Sequence, residues 1–317
     1  MNKIRLNLFD LKAKEDLISI RDIFSKSIKR WFKDDSTPKD EFFHIRPCPL
    51  CASNESYEIF EIEGFSYHKC SLCESIYTKP HLNDGVLDSL YSDGTYQVYQ
   101  DNLVKKGSKI RKGILEKRKF EQIQSIVKAS SPTILDVGCG GGTFLEICKE
   151  SKWQVEGVDP SPDSLKEGFV VHLGNFNALN FQKQYDVITF WGVLEHLFDP
   201  MHAVKKSINL LKNDGLMVFE VPSADSFITN YLEKYKFIPT RYIESARHNI
   251  FFSKALIYKI ANENNLVVEN IETNGLDIQT IILEEFEEEL TNKLINMQDI
   301  LNDLLLGDHY RVFLRKK

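Results

Sequence analysis

Beyond Pro132 the chain alternates short apolar runs with amphipathic segments. Residues 134–137, 155–158, 186–190 and 216–221 read as strands, and residues 143–151 and 202–211 carry helical spacing between them. Strand and helix in alternation predict a parallel, doubly wound α/β sheet. Residues 266–272 and 310–315 are strand-like again, separated by an acidic helical stretch over about 278–306 whose Leu283, Phe286, Leu290, Leu294, Met297, Leu301 and Leu304 share one face. That face could cap the sheet or meet a partner. At the other end, Leu17, Ile20, Phe24, Ile28 and Trp31 recur at three- and four-residue steps among Lys and Arg. This predicts a helical leader over 1–35, packed on its own protein or laid against a membrane surface. A polar stretch from Asp34 to Pro38 breaks it.

With 317 residues, 42% hydrophobic, 27% charged, 16 Gly and 10 Pro, the composition is that of a globular protein with room for about two domains. Disordered, collagen-like and small disulfide-stapled classes are excluded. No run of apolar residues is long enough to span a bilayer, and the start is charged, so a soluble, cytoplasmic chain is expected. The net charge of -6 disfavours a nucleic-acid partner and favours a small-molecule one. Charge is uneven: residues 103–119 hold eight Lys or Arg against Glu116, and residues 284–289 hold five carboxylates, both read as solvated helix faces. The expected layout is a leader at 1–43, a small module at 44–85, a connecting helical region at 86–130 and the α/β domain at 131–317.

The module carries Cys48 and Cys51, then Cys70 and Cys73, two C-x2-C pairs enclosing eighteen residues. That spacing fits a four-thiolate zinc site, with each pair turned inward on a tight knuckle. A filled tetrahedron leaves no place for water, so such a Zn2+ is structural. Two reducible pairs are the alternative, and the lack of a signal peptide argues against disulfides. His44 and His68 lie nearby but are superfluous to a filled shell, and Cys139 and Cys148 read as small core or loop residues.

The most specific motif is the run from Ile134 to Leu145, in which Asp136, Gly138, Gly140 and Gly142 pass from strand into helix. Such a loop brings main-chain N–H groups to a ligand at the carboxyl edge of the sheet. A dinucleotide fingerprint would need a small residue where Thr143 stands, which weakens a nicotinamide-dependent oxidoreductase. Asp159, seventeen residues past Gly142, ends the next strand, where a carboxylate can accept from both hydroxyls of a ribose or cap a helix. Together these residues match D-x-G-x-G-x-G and resemble class I S-adenosylmethionine-dependent methyltransferases, with a Rossmann-like sheet. The resemblance covers about 130–225 and implies S-adenosylmethionine as cofactor, with Asn175 near the adenine amine, Phe176 against the ring, and Trp191 at the end of the fourth strand. A zinc module ahead of such a core, with Tyr91 and Tyr96 between, also resembles relatives acting on sugars, polysaccharide precursors or natural products. A small-molecule or sugar acceptor follows from that resemblance.

The acceptor is expected at the carboxyl edge near residues 191–196, covered by residues 223–252 with Tyr231, Tyr235, Arg241, Tyr242, Arg247 and His248. His196, beside Glu195 at a helix start, and His248 are candidate bases, with imidazole pKa values near neutrality. Each is equally consistent with a structural role. The ubiquinone-biosynthesis O-methyltransferases carry a Glu where this chain has Gly192, and their acidic pair plus His binds a divalent cation, so Gly192 argues against metal assistance here. An RNA methyltransferase gripping the backbone with the zinc module and basic helix is a competing reading, opposed by the acidic charge and by the lack of aromatics among those basic residues. A non-catalytic scaffold is another, opposed by the paired Asp136 and Asp159.

Overall fold

In a computed structural model of the protein, residues 22–87, 89, 111–161, 168–235, 246–285, 294 and 296–317 are described. Leu17, Ile20, Tyr91, Tyr96, Arg241, Tyr242, Phe286, Leu290 and residues 103–110 of the basic 103–119 stretch lie outside the described residues, as does the Leu283 side chain.

The large sheet is built from β6 (Thr133–Val137), β7 (Gln154–Asp159), β8 (Val170–Leu173), β9 (Tyr185–Trp191), β10 (Leu211–Pro222), β12 (Leu266–Thr273) and β13 (His309–Lys316). Their order across the sheet is β12-β13-β10-β9-β6-β7-β8. Strands β8, β7, β6, β9 and β10 run parallel, and β13 is inserted antiparallel between β10 and β12. The expected α/β sheet is therefore present, doubly wound and mostly parallel.

Alternation along each strand divides the core between the two faces. Leu135, Val137, Ile188, Phe190, Met217, Phe219, Val312 and Leu314 face one side, against α3 (Pro200–Leu210) and α5 (Lys254–Glu263). Ile134, Val187, Leu216, Val218 and Phe313 face the other, against α1 (Lys117–Ile126) and α2 (Thr143–Glu150). Each such fully buried side chain contributes about 1.5–3 kcal/mol relative to exposure. Helix α3 begins earlier than residue 202, because Asp199 caps it by accepting from His202 N at 2.9 Å and Pro200 takes the first turn.

The N-terminal module is a second sheet, of β2 (Ser56–Ile62), β3 (Phe65–Cys70) and β4 (Ile76–Thr78), with β1 (Phe43–His44) paired to β5 (His81–Leu82) beside it. Its fourth strand, β11 (Ile250–Phe251), comes from the other end of the chain and pairs antiparallel with β4. From the leader, Phe24, Ile28 and Trp31 are buried with Phe43, Phe60 and Phe65, so this part of the amphipathic face packs on its own protein. Helix α4 (Phe227–Tyr235) contributes Ile228 and Leu232 to the same cluster. Within the acidic stretch the described residues form α6 (Asp277–Glu285) and α7 (Asn296–Asp303), and two residues of the expected apolar face, Met297 and Leu304, are exposed. No helix among the described residues is long and apolar enough to cross a membrane.

Candidate active site and zinc-binding module

The carboxyl ends of β6, β7 and β9 meet at one edge. There Gly138 N and Cys139 N donate to Val158 O, at 2.7 and 3.1 Å, locking the loop onto β7. Gly138 has φ +75°, and a Cβ there would collide with Val193. Gly140 has φ +48° and nothing within 4 Å of where its Cβ would lie, so the loop shows open space at its tip. A side chain at either position would be strained or would fill that space. Asp159 is 8% exposed and closes the loop from β7: its Oδ2 accepts from Gly140 N at 2.8 Å and its Oδ1 from Ser161 N at 2.9 Å. Burial raises its pKa despite those two N–H groups.

Asp136 is 2% exposed. It accepts from Thr189 Oγ1 at 2.7 Å across the β6–β9 ladder, and burial pushes its pKa up to about 7. Trp191 ends β9 with Phe144 edge-on at 5.2 Å and Lys119 Nζ 4.4 Å above its ring. Its indole Nε1 is buried with no hydrogen-bond partner among the described residues. Glu220 of β10 sits beside Trp191 and accepts from Arg311 at 2.7 and 3.0 Å. Burial opposes its charge, but the Arg311 guanidinium, with Lys119, holds it at about 2. Asn175 accepts from Asn177 N at 2.9 Å. The Phe176 ring is turned into the core, 5.7 Å from both Phe181 and Phe190.

Glu195, His196 and His248 come together, with ligand-capable atoms all within 4.8 Å of one another. His196 ends a 3-10 turn, Leu194–His196, ahead of the Asp199 cap, rather than starting a helix as expected. Its Nδ1 hydrogen-bonds the Arg247 carbonyl. A carbonyl only accepts, so Nδ1 carries the proton and Nε2 bears the lone pair, 3.7 Å from Glu195 Oε1. Burial drives the Glu195 pKa up to about 8. The His248 ring stacks on His196 at 5.6 Å and meets His309 at 6.2 Å.

The four cysteines converge at the edge of the module. Cys48 and Cys73 Sγ lie 3.8 Å apart, Cys51 and Cys70 Sγ 3.5 Å, and all four within 4.8 Å. A tetrahedron with Zn–S bonds of about 2.3 Å has edges of about 3.8 Å, so the thiols fit a zinc ion. The two knuckles repeat one turn: Ala52 N donates to Cys48 O at 2.9 Å and Glu74 N to Cys70 O at 3.0 Å, and Ala52 and Glu74 both adopt φ +61°. His44 and His68 stay out of the cluster. The second knuckle is tied to the large domain, because Ser253 Oγ donates to the Cys73 carbonyl and also caps α5, accepting from Leu256 N at 3.0 Å.

Sequence reading did not find the cleft between module and sheet, lined by Arg46, Thr78, His81 and Asn249 together with Asn175 and His196. Those four residues belong to no motif: Thr78 N donates to Asn249 O beside the β4–β11 pairing, and the β1–β5 pairing places His81 opposite His44, two residues before Arg46.

The model of a methyltransferase domain matches residues 111–271, just over half of the chain. Among curated proteins, the ubiquinone biosynthesis O-methyltransferase of Nitrosospira multiformis is 36% identical over 98 residues, spanning 27% of this chain and 41% of that protein. That of Idiomarina loihiensis is 35% identical over 98 residues, spanning 27% and 40%. The chain thus spans about two fifths of the length of these relatives. Among solved structures, the plantazolicin methyltransferase BpumL, in complex with a pentazolic desmethylPZN analog and SAH, aligns with a TM-score of 0.51 at 15% identity, over 74% of this chain and 95% of that one. This likeness concerns the fold. With the domain model matched across β6 to β12, the chain belongs to the methyltransferase family which that domain defines.

Proposed function

We propose that the chain transfers a methyl group from S-adenosylmethionine to a small-molecule acceptor. The observation that carries this reading is the Gly138–Gly142 loop held open at Gly140 by Asp159, at the carboxyl edge of the sheet. The buried Nε1 of Trp191 without a partner among the described residues adds to it, because an orphaned donor marks room for a polar ligand. The cofactor, when bound, supplies a sulfonium leaving group and the methyl itself. The chain's tasks are to hold it, align the acceptor, exclude water and take up a proton. On this reading the loop N–H groups and Asp159 hold the nucleoside, Asn175 borders the adenine, and Trp191 with Phe144 walls the methyl-bearing end. The curated relatives are named as O-methyltransferases, and a hydroxyl acceptor must lose its proton. His196 takes it at Nε2, with the tautomer fixed by the Arg247 carbonyl, and His248 packs against its face. Cys48, Cys51, Cys70 and Cys73 hold a structural zinc. The arrangement of zinc module and core supports a sugar or polysaccharide precursor as acceptor, and a cytoplasmic location accompanies that substrate.

The test is mass spectrometry of cell extract incubated with purified protein and deuteromethyl-labelled S-adenosylmethionine. A labelled small molecule is expected, formed about 10²–10⁴-fold more slowly by His196→Ala. Absence of any labelled small molecule would overturn the reading. A second reading uses the 4.8 Å grouping of Glu195, His196 and His248 to hold a divalent cation. In that case label transfer by zinc-replete protein depends on added Mg2+ or Mn2+, whereas base catalysis does not.

A further inference from the structure

The cleft between module and sheet has a cavity volume of about 70 Å3. Neither Gly138, Gly140, Asp159 nor Trp191 lines it, so it is separate from the glycine-loop tip, yet it reaches His196 and Asn175. Four buried polar atoms around it, Arg46 Nε, Thr78 Oγ1, His81 Nε2 and Asn249 Oδ1, have no hydrogen-bond partner among the described residues. Thr78 is 1% exposed and His81 4%. A buried polar atom left unpaired costs about 1–3 kcal/mol, and four around one cavity call for a ligand that satisfies them together.

Their surroundings fix what each can offer. Asn249 spends its amide nitrogen on the Ala246 carbonyl at 2.6 Å, leaving Oδ1 to accept. The His81 ring is parallel to Tyr77 within 7°, 5.2 Å away, and burial beside Arg46, His44 and Lys79 pushes its pKa down to about 3. It is therefore neutral, and its Nε2, with no partner among the described residues, is left to meet a hydroxyl. Arg46 is held rigidly, its guanidinium 4.2 Å from the Phe198 ring centre and one terminal nitrogen donating to Phe198 O at 2.6 Å. Asp199 and Asp84 are its acidic neighbours. An anion in the cleft would pair with this part-buried cation through a charge-assisted hydrogen bond.

We propose that this cleft is the acceptor subsite and takes a hydroxylated small molecule bearing one anionic group, a phosphate or a carboxylate. Arg46 binds the anion, and His81 Nε2, Asn249 Oδ1 and Thr78 Oγ1 bind hydroxyls. A further hydroxyl faces His196. The assignment of this cleft as an acceptor subsite rests on the methyl-transfer reading, while its chemistry rests on the orphaned groups alone.

The experiment is calorimetric titration of the full chain, with and without saturating S-adenosylhomocysteine, using glucose 1-phosphate, glucuronate, glucose and inorganic phosphate. At least one anionic sugar is expected to bind about tenfold or more tightly than glucose, and the better of the two distinguishes phosphate from carboxylate. Arg46→Met should erase that preference while leaving S-adenosylhomocysteine affinity and melting temperature unchanged. His81→Phe, which keeps the stack on Tyr77 but removes Nε2, should weaken both sugar types several-fold. Equal affinity for both anionic sugars and glucose, an Arg46→Met variant that keeps the preference, or no binding of any probe at about 10 mM would overturn the proposal. Phosphate binding as tightly as the sugars would overturn its hydroxyl half. Wild-type protein that fails to bind S-adenosylhomocysteine but binds the sugars would sink methyl transfer and leave the binding chemistry of the cleft standing.

Discussion

The glycine-loop tip and the module–sheet cleft, which His196 lines, are built in different ways. At the tip, Asp159 takes an N–H on each oxygen and Glu220 is matched by Arg311, while Trp191 Nε1 has no partner among the described residues. At the cleft, Arg46, Thr78, His81 and Asn249 each present a buried atom unmatched among the described residues. A ligand arriving at the tip meets a cradle whose shape the chain maintains by itself. One arriving in the cleft supplies hydrogen bonds that the chain lacks, so selectivity should reside there.

The strongest way to break this contrast is to remove the proposed zinc. Structural zinc binds with an apparent 10–16 kcal/mol, roughly the whole stability of a domain. Cys70→Ser should lose zinc by elemental analysis and collapse the module, taking β4, β11 and the cleft with it. S-adenosylhomocysteine binding should fall far less than binding of the anionic sugar probes. Equal loss at both sites would show that the two regions are one unit, and an unaltered melting curve would refute the zinc site.

Smaller is the effect of Asp159→Ala. Two charge-assisted hydrogen bonds to a ribose, with the tie to Gly140, correspond to a loss of about 1.5–3 kcal/mol, or roughly ten- to a hundredfold weaker S-adenosylhomocysteine binding by calorimetry. Unchanged affinity would remove Asp159 from the cofactor site.

The smallest effect is a pH slope. Asp136 and Glu195 have pKa values raised to about 7 and about 8, from ordinary values of 3.8 and 4.5. Between the ordinary and raised values the folded chain holds a proton that the unfolded chain has released, so each group's contribution is full in acid. It is lost as pH rises through 7 and 8. Melting temperature should therefore decline from pH 5 to about pH 8 and then level off, the stability falling by up to about 1.4 kcal/mol per pH unit per group. Asp136→Asn and Glu195→Gln should each flatten the decline, and variants with the wild-type slope would show that these carboxyls titrate normally.

Much of the core could be read in advance because its causes are local. The runs from Ile134, Val155, Asp186 and Leu216 became β6, β7, β9 and β10, since alternating burial on two faces leaves a period in the sequence. Ser253 capped α5 for an equally local reason. The turn at His196 was misjudged because Asp199 and Pro200, four residues on, set the helix start. Arg46, Thr78, His81 and Asn249 left no trace, being joined by strand pairing across some two hundred residues of chain.

Sequence by itself determined the chemistry carried by short spacings: the glycine loop, the acid ending β7, and two cysteine knuckles. Such motifs act through backbone conformation within a few residues, and the chain carries them wherever it folds. Tertiary structure alone decided that β11 would cross to the module, that the His196 and His248 rings would stack, and that four polar atoms without partners among the described residues would share one cavity. Those are outcomes of packing between distant segments, and whether a buried group is matched or left unmatched depends on every neighbour that folding brings to it.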